Sequence, residues 1–245
     1  MKYQPTGKAG FDRSVKDLAD QLRVRVTTEP YTDATSGKPK DSTPASVDTK
    51  RIIAQRILDV YGDRPDIVKD ALNRPELEIY VSTADSNDIG GKVTSGKRNL
   101  KLWGFDLPFK KNQDYIILID KAAGSDLDDP KDGRDVIVHE LTHIIDFTTR
   151  RELTQSDVVN KTFDKFQDAY HDALKKGGFK EAPKVGDQFW GQHDISPEIR
   201  NYAFRNIDEF VACTMELFAE APDKLKQFST ELFNYYSDLT DRKAA

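Results

Sequence analysis

A pair of histidines that flank a glutamate gives the clearest chemical signal in the chain. The segment reads His139-Glu140-Leu141-Thr142-His143 and lies inside an apolar run. On an α-helix, residues four positions apart lie on the same face, so both imidazoles can point at one cation. Neutral imidazoles suit zinc, and Glu140 can act as general base on a water that zinc activates. The spacing therefore predicts one Zn²⁺ per chain, with His139 and His143 as ligands.

The residues around this motif predict a buried helix from about residue 134 to residue 149. Apolar side chains cover most of its circumference: Val136, Ile137, Val138, Leu141, Ile144, Ile145 and Phe147. Such a helix belongs to a core and carries polar groups only where a site needs them. A chance match to a short pattern is the alternative. We favour the metal site, because burying two histidines and a glutamate without partners costs free energy.

A catalytic zinc site uses three protein ligands and keeps one position open, so a third ligand is required. A histidine six residues after His143 would define a metzincin, but Thr149 occupies that position. Glu209 is the strongest candidate, because a carboxylate at the start of a strongly apolar helical segment needs a partner. The alternative is that Glu209 caps its own helix, with Asn206 as the N-cap residue. Two other glutamates are weaker candidates: Glu198 and Glu216.

Hydrophobic periodicity predicts four strands that could support this helix. Apolar and polar residues alternate along residues 22–27 and again along residues 77–81, which is typical of strands with one buried face. Residues 115–119 form a continuous apolar run, which favours a central strand. Asn99 to Phe105 is the fourth candidate. We expect this segment to be the edge strand of the sheet.

Helical periodicity predicts the remaining elements. An amphipathic helix is expected from about Thr49 to Tyr61, with Ile52 on its buried face, and a short one between residues 66 and 73. After the motif, a long helix is expected to begin after Ser156 and to end at Gly177. Three further helical segments are expected: a stretch beginning at residues 196–197, residues 206–219 and residues 222–239.

Four segments show neither the periodicity of a strand nor that of a helix. Residues 29–48 are rich in Thr, Ser, Pro and Lys, which predicts a mobile loop, and residues 82–96 form a Gly/Ser/Asn loop. Residues 124–133 are acidic but lack calcium-loop spacing, so we predict a turn. Residues 179–195 are irregular. We expect residues 1–48 to form an N-terminal arm with the first strand, and residues 49–245 to form the domain that carries the site, as one folded unit.

The composition excludes several classes of protein. The formal net charge of −5 argues against a nucleic-acid partner. The single cysteine, Cys213, excludes an intramolecular disulfide and a cysteine-rich zinc site, and its apolar surroundings predict a buried thiol. No apolar run reaches the length of a transmembrane helix, and residues 1–10 lack the apolar core of a signal peptide.

Four features follow one another along residues 99–239: the strand at residues 115–119, the segment His139 to Asp146, the long helix with Phe163 and Phe166, and the segment Tyr202 to Ala212. In this order they resemble the catalytic domain of anthrax lethal factor and the related Pro-Pro endopeptidases, a gluzincin-like family. Two departures leave substrate preference open: Thr142 replaces a glycine that is usual in the zinc helix, and the insert before Tyr202 is longer than in compact members.

The resemblance implies a fold and a mechanism. The fold would be α+β and zincin-like, with a small twisted mixed sheet, an active-site HExxH helix and a mainly helical C-terminal half. Glu209 would complete the zinc site, Glu140 would be the general base, and the Tyr202 hydroxyl would stabilise the oxyanion with zinc. Asp146, one turn after His143, could fix the tautomer of a ligand histidine or serve the helix end; both interpretations stay open.

The expected activity is that of a zinc-dependent endopeptidase. An extended protein or peptide substrate would pair with the edge strand at Asn99 to Phe105. We expect a monomer without a membrane span, and the resemblance favours a protein that is secreted or delivered to a target. Two alternatives are a zincin-fold binding module without peptidase activity and a zinc hydrolase of a non-peptide substrate. An inactive relic predicts damage to a catalytic group, whereas all five site residues are present.

Overall fold

The computed structural model of the 245-residue chain describes its secondary structure over most of the chain. The described residues are 8–29, 39, 41–61, 77–84, 91–94, 100–102, 105–107, 115–119, 136–148, 152–178, 195–196 and 198–240. Three predicted features fall outside these ranges. They are the short helix at residues 66–73, the acidic turn at residues 124–133 and most of the insert at residues 179–195.

Seven strands form two sheets within the described residues. The strands are β1 (Val24–Thr27), β2 (Ser42–Pro44), β3 (Glu78–Ser82), β4 (Gly91–Thr94), β5 (Leu100–Leu102), β6 (Phe105–Leu107) and β7 (Tyr115–Ile119). Five of them make a mixed sheet in the order β2-β1-β3-β7-β4. The three inner strands are parallel to one another, and both outer strands run antiparallel to their neighbours. The predicted strands at residues 22–27, 77–81 and 115–119 are thereby confirmed, the last with partners on both sides.

The prediction that Asn99 to Phe105 forms the edge strand of the sheet was wrong. Residues 100–102 and 105–107 pair only with each other among the described strands, as an antiparallel hairpin in which Leu102 lies opposite Phe105. The edge beside β7 is instead β4, which lies within the segment predicted to be a loop. β4 contains one apolar residue, Val93, so it has no alternation to detect. Its strand conformation comes from pairing with β7, in a register that places the backbone of Val93 opposite that of Ile116.

A second strand also lies in a segment that was predicted to be a loop. β2 forms the other edge of the sheet, antiparallel to β1. Nε of Arg25 donates to Oγ of Ser42 over 2.7 Å, and Oγ1 of Thr27 donates to the Asp41 carbonyl over 2.9 Å. Hydrogen bonds from polar side chains of β1 therefore help to hold β2 on the sheet, although the composition of residues 29–48 predicts no strand there.

The C-terminal half is mainly helical, which confirms the predicted α+β class. The α-helices are α1 (Lys8–Gln21), α2 (Val47–Tyr61), α3 (Val136–Thr148), α4 (Asp157–Lys176), α5 (Ile207–Glu220), α6 (Pro222–Phe228) and α7 (Thr230–Leu239). A 3₁₀ helix spans Asn201–Arg205. The long helix α4 ends as predicted, with Gly178 in the left-handed region at a φ of 76°. Within the described residues, none of the helices has the length and apolarity needed to cross a membrane.

Three helical predictions need correction. The helical stretch expected from residue 196 begins only at Asn201, as a 3₁₀ helix. The predicted helix at residues 222–239 is two helices, because Ser229 leaves the helical conformation and its Oγ accepts from the Leu232 amide as an N-cap. Ile52 was placed on the buried face of α2 but is 37% exposed, whereas Ile53 and Ile57 are buried.

The motif helix α3 lies in the core as predicted. Six of its apolar side chains are buried: Val136, Ile137, Val138, Leu141, Ile144 and Ile145. The side chain of Phe147 lies outside the described part of the structure. Helix α3 packs against α5, α2, β4 and β7, so it is held between the sheet and the C-terminal helices. This arrangement fixes its histidines relative to α5.

Candidate metal centre

Helix α3 brings His139 and His143 to one face, as their spacing predicts. Their Nε2 atoms are 3.3 Å apart, and the two rings meet edge to face at 83° with centroids 4.9 Å apart. The His139 side chain is 9% exposed and that of His143 18%. Two imidazole nitrogens that face each other at this distance need a proton or a cation between them, because two lone pairs repel.

Glu209 joins the two histidines from helix α5. Its Oε2 lies 3.1 Å from Nε2 of His139 and 3.7 Å from Nε2 of His143. One donor atom from each of the three residues lies within 4.8 Å of the others. The structure therefore brings together the three residues that the sequence proposed as ligands.

The capping alternative for Glu209 concerns a different part of the same residue. The backbone amide of Glu209 donates to Oδ1 of Asn206 over 2.9 Å, so Asn206 is the N-cap of α5. The carboxylate of Glu209 contacts the two histidines and Tyr202 instead. Helix capping and metal ligation therefore do not compete, because the cap uses the amide.

The geometry of this group fits a divalent cation. Ligand atoms arranged tetrahedrally at about 2.0–2.1 Å from a zinc ion are separated by about 3.3–3.4 Å. The three separations here are 3.1, 3.3 and 3.7 Å. Two imidazoles and one carboxylate are also a donor set typical of catalytic zinc sites with an open position.

Two phenylalanines anchor the elements that deliver Glu209 and Tyr202. Phe204 in the 3₁₀ helix and Phe210 in α5 are fully buried, and their ring centroids are 6.1 Å apart. Phe166 of α4 packs on Phe204 at 5.3 Å. This burial holds the chain between Tyr202 and Glu209 against the core, so the polar side chains of both residues face α3.

Tyr202 lies against the candidate ligand on α5. Its hydroxyl donates to Oε1 of Glu209 over 3.0 Å, while the guanidinium groups of Arg200 and Arg205 lie 5.4 Å and 5.9 Å from its ring centroid. Burial and the adjacent charge of Glu209 raise the pKa of Tyr202 to about 12. The hydroxyl therefore keeps its proton at neutral pH and can act as a hydrogen-bond donor.

Glu140 is buried beside the histidines, with 5% of its surface exposed. Burial raises its pKa above the usual value, although the two histidines act to lower it. A carboxylate with a raised pKa is a better proton acceptor than an exposed one, which is the property a general base needs. The predicted role of Glu140 as general base is compatible with this environment and stays a prediction.

The pKa shifts of His139 and Glu209 have a common electrostatic cause. Burial acts to lower the pKa of His139, but the charge of Glu216 and hydrogen bonds to its neighbours raise it well above the usual value. Burial acts to raise the pKa of Glu209, but the two histidines hold it well below its usual range. The surroundings of His139 and Glu209 therefore stabilise a positive charge between them, whether a proton or a metal cation carries it.

The chain matches the model of one metallopeptidase family. The family is described as glucose-regulated metallo-peptidase M90, and the match spans residues 109–239, more than half of the 245-residue chain. The chain belongs to this family. The matched region contains all five predicted site residues, from His139 to Glu209. No curated protein matches the chain.

Membership of this family makes the protein a metallopeptidase, and therefore a hydrolase that uses a divalent metal. This confirms the coarser part of the sequence-based assignment. The match does not extend to the narrower resemblance to lethal factor, and the individual roles of the site residues stay predictions.

A buried charged cluster behind His139 was missed by the sequence interpretation. Oε2 of Glu216 lies 3.0 Å from Nδ1 of His139 and also contacts the guanidinium of Arg200. Nε of Arg200 donates to Sγ of the buried Cys213 over 3.2 Å. One signal was available: Glu216 follows Glu209 by two helical turns in an apolar helix, so both carboxylates occupy one face.

The contacts of Glu216 argue against Glu216 as the third metal ligand. Glu216 contacts Nδ1 of His139, whereas His143 and Glu209 lie at Nε2. His139, Cys213 and Glu216 form a second group with donor atoms close together. Arg200 already places a positive charge on that group, so a second cation there is disfavoured.

Asp146 contacts the turn that follows α3. Its Oδ1 accepts from the backbone amides of Leu153 and Thr154 at 3.0 Å, and its Oδ2 accepts from the Thr154 hydroxyl at 3.0 Å. Of the two sequence-based interpretations, these bonds favour the role at the helix end. The weaker ligand candidate Glu198 accepts from Oγ of Ser196 over 2.5 Å.

Proposed function

We propose that the protein is a zinc-dependent endopeptidase whose ligands are His139, His143 and Glu209. One observation carries the proposal: two Nε2 atoms and one carboxylate oxygen converge with separations close to those of a tetrahedral site. When bound, a zinc ion would polarise the scissile carbonyl and lower the pKa of a nearby water molecule. The family match supports the peptidase activity.

Glu140 is the proposed general base. Its carboxylate takes a proton from the attacking water as the water oxygen bonds to the carbonyl carbon, and then gives this proton to the leaving amine. The raised pKa that burial gives to Glu140 suits both transfers. No net proton is gained or lost by Glu140 over one cycle.

Tyr202 is the proposed donor to the oxyanion. In the substrate-free chain its hydroxyl donates to Oε1 of Glu209. During the reaction the same hydroxyl would turn to the developing negative charge, where one such donor is typically worth roughly 3 kcal/mol of barrier. Its high pKa ensures that it still carries the proton it donates.

The substrate is proposed to bind as an extended strand along β4. This strand is the last one of the described sheet on the side of β7, and α3 packs against it. An edge strand offers main-chain donors and acceptors to a peptide regardless of the peptide sequence. Pairing with β4 would lay the peptide beside the motif helix, which fits cleavage within a chain. In this proposal β4 takes the substrate-pairing role that the sequence predicted for the Asn99 to Phe105 segment.

Two further elements of the proposal rest on the resemblance to lethal factor and the Pro-Pro endopeptidases. They are a narrow sequence specificity and delivery of the enzyme to a target outside the producing cell. A monomer with one Zn²⁺ is part of the same proposal.

A peptide-library experiment tests this function. The zinc-loaded protein and its Glu140→Ala variant are incubated with proteome-derived peptides, and the products are identified by mass spectrometry. Internal cleavages made by the wild type and absent with the variant support an endopeptidase and give its specificity. Removal of single terminal residues would instead indicate an exopeptidase. Identical product lists from both proteins would contradict the role of Glu140.

A further inference from the structure

Glu216 is a carboxylate in the most deeply buried part of α5. Its side chain is 1% exposed, and its Oε2 lies 3.0 Å from Nδ1 of His139. The same oxygen contacts NH2 of Arg200, and this NH2 lies 3.2 Å from Nδ1 of His139. Three atoms from three residues therefore form a closed triangle behind the candidate ligand.

With Glu216 ionised beside the guanidinium of Arg200, one arrangement of hydrogens satisfies this triangle. If Nδ1 accepted a hydrogen from Arg200, its lone pair would also face the carboxylate oxygen at 3.0 Å, and the two would repel. If Nδ1 carries a hydrogen, it donates to Oε2 of Glu216, and NH2 of Arg200 donates to the same oxygen. With that hydrogen on Nδ1, the Nε2 lone pair of a neutral His139 is available to a cation shared with His143 and Glu209.

We infer that Glu216 is a positioning residue that sets the tautomer and ring orientation of His139. With the hydrogen held on Nδ1, the lone pair of Nε2 points at His143 and Glu209, which is the form that a metal ligand requires. The inference rests on the proposed metal site and adds a function for a residue outside the HExxH motif. Glu216 itself does not touch the metal or the substrate.

Arg200 supports this role by compensating the charge of Glu216. An isolated carboxylate at this depth is costly, and the guanidinium offsets part of that cost through a charge-assisted hydrogen bond. Arg200 also donates from Nε to Cys213 and lies over the ring of Tyr202. It thereby connects the 3₁₀ segment with Tyr202 to the face of α5 with Glu216.

The chain offers a matched control for this inference. Glu220 lies one turn after Glu216 on the same helix and pairs with Arg56 over 3.1 Å, with side chains 15% and 11% exposed. Changing Glu220 to glutamine removes the charge of a largely buried Glu–Arg pair without touching His139. Effects caused merely by breaking such a pair on α5 appear in both variants.

The test compares the zinc affinity of Glu216→Gln and Glu220→Gln with that of the wild type, by competition with a chelator. We expect Glu216→Gln to bind zinc about 10–100-fold more weakly, as is typical when the partner of a ligand histidine is changed. Glu220→Gln should match the wild type. Equal affinities for all three proteins, or equal losses in both variants, overturn the inference.

A second measurement applies even if Glu216→Gln does not fold. Nitrogen-15 NMR of the zinc-loaded wild type should show a hydrogen on Nδ1 of His139 that exchanges slowly with water. Hydrogen on Nε2, or a rapidly exchanging Nδ1, overturns the inference. Neither readout uses a substrate. A protein that binds zinc through this tautomer but cleaves no peptide would therefore contradict only the proposed peptidase activity.

Discussion

Glu209 bridges Tyr202 and His139 through its two carboxylate oxygens. Oε1 accepts from the Tyr202 hydroxyl at 3.0 Å, and Oε2 lies 3.1 Å from Nε2 of His139. One side chain thus links the proposed oxyanion donor to the proposed metal ligand His139. The backbone amide of Glu209 donates to Asn206, so a change to the carboxylate need not disturb the start of α5.

Loss of the Glu209 carboxylate should remove zinc without unfolding the chain. The Glu209→Ala variant keeps the amide that donates to Asn206 but loses one of three proposed ligands. We expect its zinc content after dialysis to be near zero, measured by atomic emission. Glu198→Ala, which changes a weaker candidate ligand, should retain one zinc per chain. Full occupancy in Glu209→Ala would remove this residue from the site.

Tyr202→Phe should slow catalysis with little effect on zinc binding. The variant keeps the ring beneath Arg200 and Arg205 and loses only the hydroxyl. We expect kcat to fall about 10²–10³-fold with KM nearly unchanged, because the donor acts in the transition state.

Tyr236→Phe is the control for this prediction. The Tyr236 hydroxyl lies 2.8 Å from Oγ1 of Thr214 in the core, and neither residue belongs to the proposed catalytic site. This variant should be destabilised by about 1 kcal/mol with an unchanged kcat. A kcat for Tyr202→Phe equal to that of the wild type would exclude the proposed role of its hydroxyl.

Much of the fold could be predicted from local signals. Helix α3 and strands β1, β3 and β7 carry apolar patterns within their own residues, so periodicity detects them. β4 contains one apolar residue and is a strand because β7 pairs with it. Apolar and polar residues alternate along β5 and β6, as expected for strands, but these two strands pair with each other. No local pattern shows which partner a strand takes.

In the candidate site, too, local patterns detect single elements but not the partners that those elements meet across the chain. The spacing of His139 and His143 is a property of one helix and could be recognised directly. Glu209 is 70 residues from His139, so its local sequence is compatible with both a helix cap and a metal ligand, and the family resemblance favours the ligand. Arg200 and Glu216 reach His139 across 61 and 77 residues. The two-turn spacing of Glu209 and Glu216 indicates a shared face of α5, but no pattern within a helix identifies His139 or Arg200 as the partner of Glu216.

Phe210→Ala should destabilise the fold and, through it, the site. The ring is fully buried, with Phe163 at 5.3 Å and Phe204 at 6.1 Å, so its removal leaves a cavity beside Glu209. We expect a loss of about 3–5 kcal/mol in the free energy of unfolding, measured by urea denaturation of the metal-free protein.

A comparison at an exposed position calibrates the Phe210 result. Val47 is 61% exposed, so Val47→Ala should change the free energy of unfolding by less than about 0.5 kcal/mol. A loss of similar size in both variants would show that the phenylalanine cluster does not anchor α5.

Asp146→Ala should lower stability while leaving the intrinsic zinc affinity unchanged. The substitution leaves the buried amides of Leu153 and Thr154 without their acceptor, at about 1–3 kcal/mol for each unsatisfied group. Thermal unfolding and chelator competition would separate the two effects. Weaker zinc binding by a fully folded variant would instead favour the alternative role, in which Asp146 orients a ligand histidine.

The most direct test of the central claim is a zinc titration of the metal-free protein. A peptide identified as a substrate in the library experiment is mixed with enzyme that has been stripped by a chelator, and its cleavage rate is followed as zinc is added. We predict no cleavage without metal, and a rate that rises linearly and saturates at one zinc per chain. Cleavage by the metal-free protein, or saturation of the zinc site with no gain in cleavage rate, would contradict a zinc endopeptidase.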